Sequence, residues 1–276
     1  MMTTWLITGC SSGLGRDLAQ AVLERGHNAV ITARHIDSLQ GMVNAYPGKA
    51  LAQTLDVTNP DQIKTTLQAA EAQFGAIDVL VNNAGYGYRA AIEEGEDADV
   101  TALFATNVFG PVSVMKAVLP GMRKRRSGRI VNVSSVAPRI ASPGSGYYSA
   151  SKLALEGISA TLRKEVALLG IKVMVVQPGA FRTDFAGRSL QGSTTTIADY
   201  DATVGPRRKA VNKTSGKEPG NPVKAAHVLV DVITGEKLPD SLLLGSDAVT
   251  WATDAIKAEL QEIADWKTVS ISTDFS

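Results

Sequence analysis

Short apolar runs alternate along this chain with stretches whose apolar residues recur every three or four positions, and that alternation limits the possible folds more than any other feature. Thr4 to Thr8 precedes a helical pattern carrying Leu14, Leu18 and Val22, closed by Gly26; Asn28 to Ala33 precedes one with Leu39, Met42 and Val43. Ala50 to Leu55 leads, through Asn59-Pro60 as a helix start, to Ile63, Leu67, Ala70 and Phe74. Ile77 to Val81 leads to a long helical region from about Asp97 to Arg126, in which Gly110-Pro111 predicts a kink. Gly128 to Val133 is followed by a helix from Tyr148 to Leu169, Lys172 to Gln177 by one carrying Val223, Ala226, Val230 and Ile233, and Leu242 to Leu244 suggests a last strand. Continuously apolar strands are buried on both faces, and right-handed crossovers make them parallel. The expected fold is α/β: a doubly wound parallel sheet of about seven strands with helices on both faces.

The 276 residues, 44% of them hydrophobic, suffice for one such domain over 1–276. Pattern fades between about 184 and 221, a stretch rich in Ser, Thr and Gly, and long loops of this kind serve as lids or substrate loops. A helical tail at about 246–276, with Ile256, Leu260 and Ile263 in register, is expected to pack on the body or on a second subunit. Basic residues number 28 against 27 acids, so no overall field favours nucleic acid or an anionic membrane. The run Arg123 to Arg126 fits a solvated helix C-terminus, where cations complement the dipole, better than a nucleic-acid patch. One cysteine, Cys10, excludes an internal disulfide, and His27, His35 and His227 lie too far apart for a metal site. The first strand begins at Thr4 and no apolar run approaches the ~20 residues of a membrane span, so a soluble, cytoplasmic protein without a membrane partner is expected.

Several strand ends carry chemistry. The first opens into Gly9, Cys10, Ser11, Ser12, Gly13, Leu14 and Gly15, a glycine turn before a helix, where free N–H groups and the helix dipole favour a phosphate. Arg34 follows the second strand directly; an arginine there suits a ribose 2'-phosphate, and otherwise is a solvated loop residue. Asp56, with Val57, ends the third and either accepts from an adenine amino group or caps its own turn. After the fourth come Asn82, Asn83, Ala84 and Gly85, small enough for a flat ring to lie against, with Asn82 expected to hold the turn. Asn107 beside the kink is a candidate with a stabilising role as its alternative. Ser135 closes the fifth strand, and Tyr148 and Lys152, four apart, share a helix face. A nearby ammonium stabilises phenolate and draws a phenol down from ~10.

These motifs, Thr8-Gly9 through Gly15, Asn82 to Gly85, Asn107, Ser135, Tyr148 to Lys152, and Pro178-Gly179 with Thr183, occur in an order that resembles the single-domain short-chain dehydrogenases/reductases over roughly residues 4 to 245. The resemblance implies a Rossmann fold, NADP as cofactor, a small-molecule carbonyl or alcohol substrate, and a homodimer or homotetramer contacting through helices 97–126 and 148–169. It implies that Tyr148 protonates the carbonyl oxygen, that Lys152 bonds the nicotinamide ribose and lowers the Tyr148 pKa, that Ser135 holds the substrate oxygen with Ser134 as fallback, and that Asn107 supports a water chain. Pro178, Gly179, Phe181 and Thr183 would meet the nicotinamide amide and phosphates. Pro138 stands where many relatives have glycine, and Ser12 lacks a basic side chain, leaving the 2'-phosphate to Arg34 with Ser11 or His35. Tyr86, Tyr88, Ile140, Tyr147, Phe181, Phe185 and Leu190 are candidates for an apolar pocket, Arg188, Arg207 and Arg208 for meeting an acidic substrate. The competing reading is a nucleotide-binding sensor or scaffold of the same fold without chemistry.

Overall fold

The computed structural model describes residues 2–187, 189–210 and 216–275. Its framework is a seven-stranded sheet formed by β1 (Thr4–Ile7), β2 (Asn28–Ala33), β3 (Ala50–Thr54), β4 (Val79–Asn82), β6 (Gly128–Val133), β7 (Ile171–Pro178) and β9 (Ser241–Leu244), in the order β3-β2-β1-β4-β6-β7-β9. Every neighbouring pair is parallel, as the alternation predicts. Strand order reverses between β1 and β4, and the carboxyl ends of the strands there open a crevice.

The strands are apolar on both faces because each face has its own core. Trp5 and Ile7 of β1 enter one, shared with α1 (Gly13–Glu24) and α9 (Pro222–Thr234), while Leu6 enters the other, shared with α3 (Pro60–Phe74), α5 (Gly110–Arg125) and α7 (Gly146–Val166). All three are completely buried, and each such side chain contributes about 1.5–3 kcal/mol. Helix starts follow the expected chemistry: Asn59 accepts from the N–H groups of Asp61 and Gln62 ahead of Pro60, and Asn221 from that of Lys224 ahead of Pro222. A short α2 (Gln40–Ala45) links β2 to β3.

The long helical region carries an irregularity next to the expected kink. It runs through α4 (Asp97–Phe104) into a π-helical segment, Ala105–Phe109, and on into α5. Pro111 has no N–H to donate to the carbonyl four residues back, that of Asn107, and the helix widens there. Gly110 is required because a Cβ would meet Val57 at 2.6 Å. By length and composition the 29 residues Asp97–Arg125 are apolar enough to cross a membrane, which the sequence reading overlooked, yet 44% of the most apolar stretch is buried inside the fold.

The weakly patterned stretch after residue 184 is more ordered than its composition suggests. It contains β8 (Leu190–Gly192), which pairs in parallel with β5 (Gly87–Arg89), and α8 (Gly205–Ala210). After β6, α6 (Ala137–Ile140) packs against α10 (Ser246–Ile271), whose Ala248 and Ala252 are buried. The tail thus meets the body over two turns only; Ile256, Leu260 and Ile263 lie 44%, 60% and 60% exposed.

Candidate active site

Three glycines shape the turn after β1, each for its own reason. Gly9 (φ +74°) lies so close to the β4 turn that a Cβ would come within 2.9 Å of Ala84 Cα, Gly13 has φ +59°, and at Gly15 a Cβ would overlap the Asn83 side chain and the Gly9 carbonyl. Ser12, at the N-cap of α1, is extended and makes no side-chain cap, so the first N–H groups of the helix are left for a ligand. The β4 turn is tied to this one by Asn83: its Nδ2 donates to the carbonyls of Thr8 and Gly9, both at 3.0 Å, and its N–H donates to Thr8 Oγ1. The expected holder, Asn82, has another task. As the last residue of β4 it points into the core, 2% exposed, and donates to Asn132 Oδ1 at 2.9 Å away from the crevice.

At the end of β2, Arg34 is exposed at the rim of the crevice. Asp56 caps its own turn, its Oδ1 accepting from the N–H and hydroxyl of Thr58. Burial opposes its ionisation, but the Thr58 bonds and the charge of Arg34 outweigh it and hold the carboxyl low.

Ser135, half-buried after β6, lies close enough to the Tyr148 phenol to lower its pKa, while its Oγ accepts from Ala137 N. Ser134 also lines the cleft, but its hydroxyl donates to Glu156 Oε1 at 2.6 Å, which leaves the Ser135 hydroxyl beside Tyr148. Lys152 Nζ donates to the Val133 carbonyl at 2.9 Å and sits 5.9 Å from the centre of the Tyr148 ring. The expected acidification of the phenol is not the state of this site: burial pushes Tyr148 up to about 12, with Ser135 opposing. Burial likewise pulls Lys152 down to about 8, against the charge of Glu156. Asn107, fully buried in the π segment, clamps Tyr86, accepting from its N–H (3.1 Å) and donating to its carbonyl (2.9 Å), and donates also to Ser151.

Past β7, Gly179 is required by Asp247, whose Oδ2 accepts from Ala180 N at 2.8 Å. Thr183 accepts from Phe185 N, and the Phe185 ring tilts against Tyr148 with centres 5.9 Å apart. Here the segment after residue 184 becomes a wall, fastened through Glu94. This residue, 1% exposed, accepts from the N–H groups of Ala91 and Ile197 and from Arg208. The Arg208 bond holds its carboxyl at about 2, burial opposing.

All the expected cofactor residues except Asn82 line one cleft of about 840 Å³, with Ser135, Tyr148 and Lys152 in its wall; small-molecule sites span roughly 300–1,000 Å³. A glycine floor that Cβ atoms would obstruct, next to an uncapped helix N-terminus, fits a dinucleotide pyrophosphate. Of the expected apolar pocket, Tyr86, Phe181 and Phe185 line the cleft. Tyr88 is 1% exposed in a small core, Tyr147 donates to the Ile92 carbonyl, Ile140 is on the surface and Leu190 stacks on Gly87. Arg208 is taken by Glu94, and Arg188 lies outside the described residues. Sequence reasoning missed Asn83, Glu94, Glu156 and Asp247; strand alternation, which turns Asn82 inward, was the signal for the first.

A parallel sheet with a glycine turn at its switch point and a serine–tyrosine–lysine set beside it defines a Rossmann-type nucleotide-binding protein. The model of the short chain dehydrogenase family matches residues 3–193. The chain is 39% identical over 274 residues to oxidoreductase BOA17 of Botryotinia fuckeliana, covering 99% of this chain and 100% of that one. A crystal structure of a short-chain dehydrogenase from Streptomyces avermitilis superposes with a TM-score of 0.91 at 40% identity, over 100% of this chain and 99% of the other. The structure of ElxO with NADP bound gives 0.73 at 25% identity, over 91% and 100%. The chain belongs to the short-chain dehydrogenase family, and is an oxidoreductase of that family.

Proposed function

We propose that this chain is an NADP(H)-dependent oxidoreductase that moves hydride between the nicotinamide and a carbonyl or secondary alcohol carbon. The observation that carries the reading is the convergence of the Ser135 and Tyr148 hydroxyls in the wall of one cleft, with Lys152 one helical turn on and its Nζ 5.9 Å from the Tyr148 ring centre. The bound dinucleotide supplies the hydride. Tyr148, kept protonated by burial, gives its Oη proton to the substrate oxygen as the carbonyl carbon gains its hydrogen, so one C–H and one O–H bond replace the carbonyl π bond. Ser135 steadies the developing alkoxide, and the Lys152 ammonium offsets the charge left on the phenol. Asn107 acts at one remove, fixing Tyr86 and Ser151 around the site.

Arg34 supports NADP over NAD: it stands at the rim with no ion pair among the described residues and matches a 2'-phosphate. The NADP in the ElxO structure supports a nicotinamide dinucleotide in this cleft. Residues 184–221 belong to the reading as the substrate wall. A homodimer or homotetramer through α4–α5 and α7 belongs to it too, supported by Phe109 and Leu153, 63% and 55% exposed on those helices. Oxidation of NADPH across a panel of ketones, aldehydes and quinones tests it, beside Tyr148→Phe. That variant should bind NADPH as the parent does and lose about 10²–10⁴-fold in turnover; near-normal reduction by it would remove Tyr148 from the reaction.

A further inference from the structure

One end of the cleft is lined by the guanidinium of Arg89, with Arg207 next to it, and no carboxylate among the described residues pairs with either. Arg89, the last residue of β5, is half-buried and lines the cleft beside Phe185, Ser189 and Gln191. One of its nitrogens, Nη1, donates to the Arg207 carbonyl at 2.9 Å. Its other donors have no protein acceptor among the described residues. Arg207, half-buried on α8, makes no side-chain hydrogen bond or ion pair among them either. The ion pairs of this region belong to the next residue, Arg208, which takes both Glu94 and Asp201. Burial draws both Arg89 and Arg207 below the usual arginine range, and for Arg89 the charge of Arg207 adds to the effect.

Two like charges held together and partly desolvated oppose folding unless something anionic joins them. Their location says what that is. Phe185 lies between Arg89 and the reacting hydroxyls, its ring 5.9 Å from that of Tyr148 and so near Gly87, two residues before Arg89, that a Cβ there would come within 3.2 Å of it. The phosphate sites expected for a dinucleotide lie elsewhere, at the α1 N-terminus and at Arg34 beyond β2. A guanidinium fork pairs best with a planar or tetrahedral oxyanion.

We propose that Arg89, with Arg207 behind it, is an anion subsite, and that the substrate is a carbonyl compound bearing a carboxylate or phosphate at a distance from the carbonyl. This rests on the oxidoreductase reading above, and it narrows the substrate class from neutral ketones to keto acids and keto phosphates.

Binding separates the two claims, because it needs no turnover. Hexanoate, hexyl phosphate and methyl hexanoate are titrated into the full chain with NADP⁺ present, for the parent, Arg89→Lys and Arg207→Gln. The anions should bind about tenfold or more tightly than the ester in the parent, and Arg207→Gln, which replaces a side chain that makes no hydrogen bond among the described residues, should reduce that preference. Arg89→Lys should keep part of it by charge alone. A preference for hexanoate over hexyl phosphate, or the reverse, identifies the anion. Equal binding of ester and anions, or a preference untouched in both variants, overturns the subsite, even if neutral ketones are reduced. Anion binding in a chain that oxidises NADPH with no keto acid or keto phosphate of graded length overturns the substrate class and the oxidoreductase reading together, while the anion preference itself stands.

Discussion

The two ends of the cleft are made of different material. The dinucleotide end is backbone: glycines at a strand-to-helix turn, an uncapped helix start, and Asn83 stitching two neighbouring turns through main-chain carbonyls. The other end is side chains on a segment remote in sequence, fastened above all by one buried carboxylate, Glu94, across 103 residues to Ile197 and 114 to Arg208. A backbone site tolerates little change and binds one shape; a side-chain wall tied back at a few points changes more readily with substitution. On the proposed function, the first end would take the dinucleotide and the second would meet the substrate.

Perturbing each end alone sharpens that contrast. Glu94→Gln should have the largest effect, since it breaks a buried charge pair, at a cost of about 3 kcal/mol. Faster amide exchange over residues 190–208 and a raised KM should follow, with the NADPH dissociation constant unchanged; equal loosening of the glycine turn would show that the two ends are one unit. Acid should act through the same group. The carboxyl is held at about 2 against an ordinary 4.5, so the folded wall binds fewer protons than the unfolded one. Its contribution is complete above about pH 4.5 and declines as pH falls toward about 2. Exchange measured at stepped pH should therefore open residues 190–208 in that window, and the variant should lack the step.

Gly15→Ala comes next. An added methyl overlaps Asn83 and the Gly9 carbonyl, an overpacking that costs about 1–3 kcal/mol, and chemical denaturation together with NADPH titration should register both lost stability and weaker nucleotide binding. Unaltered nucleotide affinity would mean that the turn is not the pyrophosphate site. Arg34→Ala should have the smallest effect, about tenfold on NADPH and little on NADH, as expected for one exposed charge-assisted contact. Equal loss for both in fluorescence titrations would sever Arg34 from cofactor choice.

The same division decides what could be read from the sequence. The sheet, the glycine turn and the pairing of Tyr148 with Lys152 depend on spacing within a few residues, and the structure has them where the spacing put them. The error at Asn82 is one of local phase: strand β4 runs one residue further than its apolar run, which turns Asn82 inward and hands the turn to Asn83. What Gly110-Pro111 did not reveal is the π segment just before it, which forms where a proline disturbs the carbonyl four residues earlier. Asp247 and Glu94 carried no such signal. Besides local bonds, Asp247 reaches Ala180, 67 residues away, and Glu94 reaches Ile197 and Arg208, more than a hundred away, and only the folded chain brings these together. The state of Tyr148 was also hidden, since its rise to about 12 comes from surrounding protein rather than from its neighbour on the helix.

The anchoring at Glu94 has an evolutionary corollary. Thr195 and Tyr200 also tie back to the same short stretch, through Glu96 and Glu93. If the panel over residues 193–208 meets the substrate, as the proposed function has it, a segment fastened at so few points is one that a related gene could exchange while the sheet beneath stays unchanged.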